Sequence, residues 1–204
     1  MTSVALFPLQ SGVFPDGVLQ LQIFEVRYLD LIKRCQREAA SFGVAWLAQG
    51  AETQVAAEQP RLFQFGCMVE LLEVVPIMPT LLHVKCRGTR RFRLDAQFAG
   101  PYGVWQGRIE YLECDKNDPI PSHLQGLADR LGQLIARAQT RGLEDRVPFH
   151  RPYRLDEAGW VANRWAEVLP FTPEQKVQLL GEPNPLLRLE RIKEWTEGLD
   201  QAPS

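Results

Sequence analysis

Leu6-Phe7-Pro8-Leu9 and Val13-Phe14-Pro15, followed closely by Val18-Leu19-Gln20-Leu21-Gln22-Ile23-Phe24-Glu25-Val26-Arg27-Tyr28, decide the fold. Each proline removes a backbone N–H and fixes φ, so the two apolar-proline steps read as an edge strand or as strand ends that stop at a turn. Leu19, Leu21 and Ile23 then alternate with Gln20 and Gln22, the period of a strand with one buried face. From Tyr28 the period lengthens. Tyr28, Leu31, Ile32, Cys35 and Ala39 share a helical stripe and leave Arg27, Asp30, Lys33, Arg34 and Arg37 mostly to solvent.

Working outward, residues 1–118 read as short strands broken by Gly and Pro, with this one early helix, and residues 119–204 read as helices. The boundary is Asp115-Lys116-Asn117-Asp118-Pro119-Ile120-Pro121, a linker of turn formers and prolines. Ser122-His123-Leu124-Gln125 fits a capping box for a helix whose apolar face carries Leu124, Leu127, Ala128, Leu131, Leu134, Ile135 and Ala138 and which stops near Gly142. A second helix spans about 156–169 and is ended by Pro170. Thr172-Pro173-Glu174-Gln175 starts a third. Leu186, Leu189 and Ile192, with Trp195 and Leu199 near the same face, define a last one. The fold class is α+β.

Composition narrows the function classes. At 45% hydrophobic and 24% charged residues over 204 positions, the chain has the makeup of a globular protein. The 23 Lys plus Arg and 25 Asp plus Glu give a formal charge of −2, so no global field draws it to nucleic acid or to an anionic membrane. Met1-Thr2-Ser3-Val4 carries no signal-peptide pattern and no apolar run is long enough to cross a bilayer, which makes the cytoplasm the expected location. Cys35, Cys67, Cys86 and Cys114 are far apart with no CxxC, and His83, His123 and His150 offer no ligand spacing. The cysteines read as small buried hydrophobes, and neither metal nor cofactor is expected.

The ordered pieces above resemble the amino-terminal domain of the ATP-dependent protease Lon, a family that includes free-standing LON-domain proteins. Phe42-Gly43-Val44, the stretch Val84 to Arg93 and Pro101-Tyr102 are similar to its later strand motifs. Ala162-Asn163-Arg164-Trp165-Ala166-Glu167-Val168-Leu169-Pro170 and Gln178-Leu179-Leu180 are similar to its helical motifs. The resemblance implies a PUA-like β-barrel followed by a C-terminal helical bundle, with Phe14, Pro15, Glu25, Arg27, Tyr28, Arg91, Phe92 and Tyr102 as structural motif residues. It also implies a substrate-recognition role for unfolded or exposed polypeptide segments, and makes a separate ATP-dependent protease a candidate partner.

Catalytic constellations are missing from the sequence. GxxxxGK[ST] is absent, and without its backbone donors and lysine nothing holds nucleotide phosphates; GxSxG, HExxH and GxGxxG are absent too. The chain is therefore read as non-enzymatic, without catalytic residues. Glu25 and Arg91 are read as a structural ion pair, since a carboxylate beside a helix start can accept hydrogen bonds from an arginine on a neighbouring strand. Lys85, Arg87, Arg90, Arg91 and Arg93 form a dense basic cluster, which makes a PUA-like RNA-binding protein the alternative. Their alternation with Val84, Cys86 and Gly88 fits the solvated face of a strand equally well, so nucleic acid is not the expected partner.

The stretch Val74-Val75-Pro76-Ile77-Met78-Pro79-Thr80-Leu81-Leu82 lies between strands expected at Met68 to Val74 and Leu81 to Arg87. LON domains usually carry a polar turn there. Prolines at 76 and 79 argue against an ordinary paired ladder, and Ile77 and Met78 come out exposed unless the helical half covers them. Ile77, Met78 and Leu81 are thus the candidate contacts for polypeptide or for a second copy of the chain in a homodimer.

Overall fold

The computed structural model describes residues 2–52 and 60–200, without the side chains of residues 145 and 198–200. Leu199, Met1 and the last four residues of the 119–204 segment thus lie outside the described side chains. In chain order the elements are β1 (Thr2–Leu9), β2 (Val18–Ile23), α1 (Val26–Glu38), β3 (Phe42–Gln49), β4 (Arg61–Met78), β5 (Leu81–Ala99), β6 (Trp105–Tyr111), α2 (Gln125–Thr140), α3 (Ala158–Val168), α4 (Pro173–Gly181) and α5 (Pro185–Asp200). The strands form one six-stranded sheet in the order β2-β5-β4-β3-β1-β6, and β5 also pairs with β6.

The apolar-proline steps are placed by this pairing. β1 is an interior strand, parallel to β3 and antiparallel to β6, where an edge strand or a strand end was expected. Its β6 partners stop at Leu6, whereas its β3 partners run from Leu6 to Leu9, so Pro8 sits where only one edge is paired and a residue without an N–H is tolerated. Phe14-Pro15 follows as a bend. Asp16 N–H donates to the Gly88 carbonyl at 2.8 Å and Gly88 N–H to the Gly17 carbonyl at 2.8 Å, pinning the bend onto β5. A Cβ on Gly88 would lie 2.1 Å from the Phe14 carbonyl oxygen, so only glycine permits this approach.

α1 begins at Val26, two residues before the lengthened period, and ends at Glu38; Ala39, with a left-handed φ of 49°, caps the helix instead of extending its buried stripe. Tyr28, Leu31, Ile32 and Cys35 are buried against β1 and β3, where Tyr28 stacks on Phe7 at 3.9 Å between ring centroids. Of the cysteines expected inside, Cys35, Cys67 and Cys86 are buried, but Cys114 is exposed. A second strand cluster gathers Leu6, Ala45, Met68, Phe92, Leu94 and Ile109.

The helical half departs from expectation at one start. Ser122–Leu124 is a single 3-10 turn and α2 begins at Gln125 with no side-chain cap, because Gln125 N–H, which the Ser122 hydroxyl would have taken, already bonds the Ser122 carbonyl. At α4 the capping box is present. Thr172 accepts from Gln175 N–H at 3.3 Å and Gln175 returns a carboxamide oxygen to Thr172 N–H at 2.9 Å. α3 is buried at every position from Ala158 to Ala166, so it is the central element of this half. Its core takes in Phe14 and Trp46 from the strand half, and those two rings meet edge to face at 5.9 Å.

Candidate functional site

The β4 and β5 strands are much longer than the sequence signals, and their length builds the site. β3 accompanies β4 only as far as the Phe42–Val69 pair, while β4 continues to Met78. On the other side β2 covers β5 from Leu82 to Arg87. The outer part of the hairpin is therefore a three-stranded arm, β2-β5-β4, in which β4 from Glu70 onward has β5 as its single strand neighbour among the described residues.

Prolines do not end the ladder as expected. Pairing runs through Pro76–Leu82 to Met78–Leu81, leaving Pro79-Thr80 as the turn. From Glu70 outward the register slips twice: one extra residue, Leu72, lies between the Leu71–Cys86 and Glu73–Lys85 pairs, and another, Ile77, lies between Pro76–Leu82 and Met78–Leu81. Such bulges bend an edge strand and re-aim a side chain. Leu72 and Ile77, the two extra residues, are both exposed large hydrophobes. Ile77 and Met78 are each 56% exposed; Val75 is exposed and Leu81 half-buried. Phe24, also exposed, follows directly on the Ile23–Leu82 pair, so the register puts it at the same end of the arm. The sequence reading named Ile77, Met78 and Leu81 and missed Leu72, Val75 and Phe24; along β4 the bulges interrupt the period-2 alternation, and Phe24 lies one residue beyond the end of β2.

The basic cluster is largely neutralised. Arg87 pairs with Glu70 at 2.5 Å, Arg93 with Glu110 at 2.6 Å and Asp95 at 3.4 Å. Arg90 lies over the Tyr111 ring at 4.7 Å and donates to the Leu112 carbonyl. Val84, Cys86 and Gly88 are buried between these charges, the alternation of a one-sided strand.

Glu25 and Arg91 are not partners. Glu25, at the start of α1, holds Arg27 at 2.9 Å. Arg27 is buried and not solvated: its guanidinium lies over Tyr28 at 4.5 Å and donates to the Gly103 carbonyl at 3.0 Å. Arg91 points the other way, into the helical half. It donates to the carbonyls of Leu180 at 3.1 Å, Glu182 at 2.8 Å and Glu113 at 3.1 Å, and to the Asp115 carboxylate at 2.8 Å. Asp115 also takes Arg188 at 2.5 Å, and Arg188 donates to Asn163 at 2.7 Å. Phe92, on the opposite face of β5, lies in the strand core. Burial, and then the neighbouring Arg188, lower the pKa of Arg91.

A second buried junction uses Phe14-Pro15. Phe14 N–H donates to Glu167 at 2.9 Å, the Pro15 carbonyl accepts from Arg164 at 2.7 Å, and Arg164 and Glu167 pair at 3.0 Å one turn apart on α3. A Cβ on Gly17 would meet the Glu167 carboxylate at 1.8 Å. Burial pushes the Glu167 carboxyl up to about 7 against the pull of Arg164 and the Phe14 N–H. Burial likewise raises Cys86 and Tyr28 to about 12 and Cys67 further, so none of these is a ready nucleophile. Phe14, Pro15 and Arg91 thus fasten the strand half to the helices. Tyr102, expected in a strand, stands instead in a turn between β5 and β6 and faces solvent.

Among the described residues no group of His, Cys, Asp and Glu side chains converges as a metal site, and no helix is long and apolar enough to cross a membrane.

No curated protein matches the chain. Among solved structures, a Lon N-terminal domain protein from Xanthomonas campestris is 31% identical, with 96% of this chain and 99% of that one covered at a TM-score of 0.76. The N-terminal domain of a Mycobacterium avium complex Lon protease shares the fold at 19% identity and a TM-score of 0.65, covering 96% of this chain and 98% of that one. Residues 3–197 match the family model described as the ATP-dependent protease La (LON) substrate-binding domain, and the chain therefore belongs to that family.

Proposed function

We propose that this chain is a non-enzymatic recognition module for unfolded or exposed polypeptide segments, engaged through the outer arm of the β4–β5 hairpin. The observation that carries the reading is the exposure of Ile77 and Met78 at the end of an arm that also leaves Leu72, Val75 and Phe24 in water. Burying each such side chain against a partner contributes about 1.5–3 kcal/mol, and methionine's flexible thioether suits varied partners. The match to a substrate-binding family supports the same role. On this reading the bound segment passes to a separate ATP-dependent protease in the cytoplasm, and a second copy of the chain competes for the same arm.

The two segments, 1–118 and 119–204, act as one module: a PUA-like barrel, supported by the cycle of paired strands β5-β4-β3-β1-β6-β5, with a C-terminal helical bundle around α3. The RNA-binding alternative is disfavoured by the acidic partners of Arg87 and Arg93. The test is a titration of one labelled protein in its unfolded form, the same protein folded, and a single-stranded RNA. Binding of the unfolded form alone supports the proposal. Binding of RNA alone, or of none of the three, overturns it.

A further inference from the structure

The groove of about 740 Å³ between α1 and the turn that joins β5 to β6 has no part in the arm. One wall is a helical stripe: Asp30, Lys33, Arg34 and Arg37 recur at intervals of three and four residues, and all four line the groove. Arg37 is taken up by Glu38 at 2.8 Å, but Lys33 and Arg34 have no ion-pair partner among the described residues. Asp30 is the one acidic lining residue, so the wall is net cationic.

The facing wall is aromatic and strained. Tyr102 holds φ 57° and ψ 22°, a left-handed conformation that a bulky residue rarely adopts, and its side chain is 83% exposed. Phe98, also exposed, lines the groove beside it. The turn is kept in place from below: Arg27, anchored by Glu25, donates to the carbonyl of Gly103, the residue after Tyr102. Strain that is held by its surroundings and presents an aromatic ring to solvent is a mark of a binding position.

We propose that this groove binds an acidic segment of polypeptide, whose carboxylates meet Lys33 and Arg34 and whose apolar residues lie against Tyr102 and Phe98. The proposal rests on the polypeptide-recognition reading and gives it a second, charge-selective contact. Complementarity favours a carboxylate-bearing peptide over nucleic acid. The unpaired cations occupy a single stretch of one helix, enough for one or two carboxylates, whereas a nucleic acid needs a basic track that continues along the surface; here the other basic cluster is held by Glu70, Glu110 and Asp95.

The test uses the full chain and a fluorescent peptide of alternating Glu and Leu, its counterpart with Lys for Glu, and oligouridylate. The Glu peptide is expected to bind and the Lys peptide not to, with affinity falling as salt rises. K33E/R34E is expected to weaken the Glu peptide about tenfold or more and to reverse the preference toward the Lys peptide. Should the double variant fail to fold, K33E alone, at an exposed position, must shift the preference the same way. Tyr102→Gly is expected to weaken binding while raising the melting temperature. Equal affinity for both peptides, indifference to K33E, or tighter binding of oligouridylate overturns the proposal. If unfolded protein still binds at the arm in those cases, only the groove assignment is lost; if no polypeptide binds at all, the recognition reading falls with it.

Discussion

The junction between the two halves and the outer arm of the hairpin invert the usual placement of residues in opposite senses. At the junction the chain buries charge: Arg91, Arg164 and Arg188 are all nearly inaccessible. At the arm it exposes hydrophobes, from Leu72 to Met78. The difference is in compensation. Each buried guanidinium meets a carboxylate, and Asp115 serves two of them. The large hydrophobes of the arm, Phe24, Leu72, Val75, Ile77 and Met78, each leave between 37 and 56% of their surface in water. Buried charge with partners fixes how the halves dock, whereas exposed apolar surface without cover marks where another molecule can add burial.

The sharpest way to break this contrast is Asp115→Ala. It leaves Arg91 and Arg188 without their shared carboxylate, and the expected loss is about 3–5 kcal/mol in a urea titration. Polypeptide binding should then fall only in step with the folded fraction. A loss below about 1 kcal/mol would mean that the carbonyls around Arg91 suffice without Asp115.

Glu167 adds a pH dependence at the second junction. Its folded pKa, about 7, lies above its ordinary 4.5, so the folded chain holds this proton more tightly than the unfolded one. The resulting stability is fully present below pH 4.5 and is lost as pH rises through about 7. Glu167→Gln should flatten that part of the stability profile. An unchanged slope would assign it to another group.

Glu25→Ala is expected to cost about 1 kcal/mol, since it frees a half-buried partner of Arg27 and not of Arg91. Combined with Asp115→Ala the losses should add to within about 0.5 kcal/mol; strong coupling would reinstate the pairing of Glu25 with Arg91. Tyr102→Gly should gain about 1 kcal/mol by removing a left-handed tyrosine.

Local signals were legible in the sequence, and distant ones were not. The alternation in β2, the stripe of Tyr28 to Cys35 and the Thr172 capping box each act within a few residues, and each is found where the pattern put it. Arg91 shows the opposite case: its partners are Asp115 and the carbonyls of Leu180 and Glu182, which only the docking of the halves brings close. Glu25 offered a carboxylate in a plausible place, and no local rule distinguishes the two acids. Pro76 misled for a related reason, because a proline on an edge with one strand neighbour does not end a ladder. Exposure of Ile77 and Met78 was legible, as two apolar residues between prolines; the bulges that extend the patch to Leu72 were not.

The most direct test of the contrast is the double substitution Ile77→Ser with Met78→Ser, with unfolded-polypeptide affinity and urea stability measured on the same samples. Affinity should fall about tenfold or more, while stability changes by no more than about 0.5 kcal/mol. Unchanged affinity, or a loss of binding that merely tracks unfolding, would contradict the assignment of recognition to the arm.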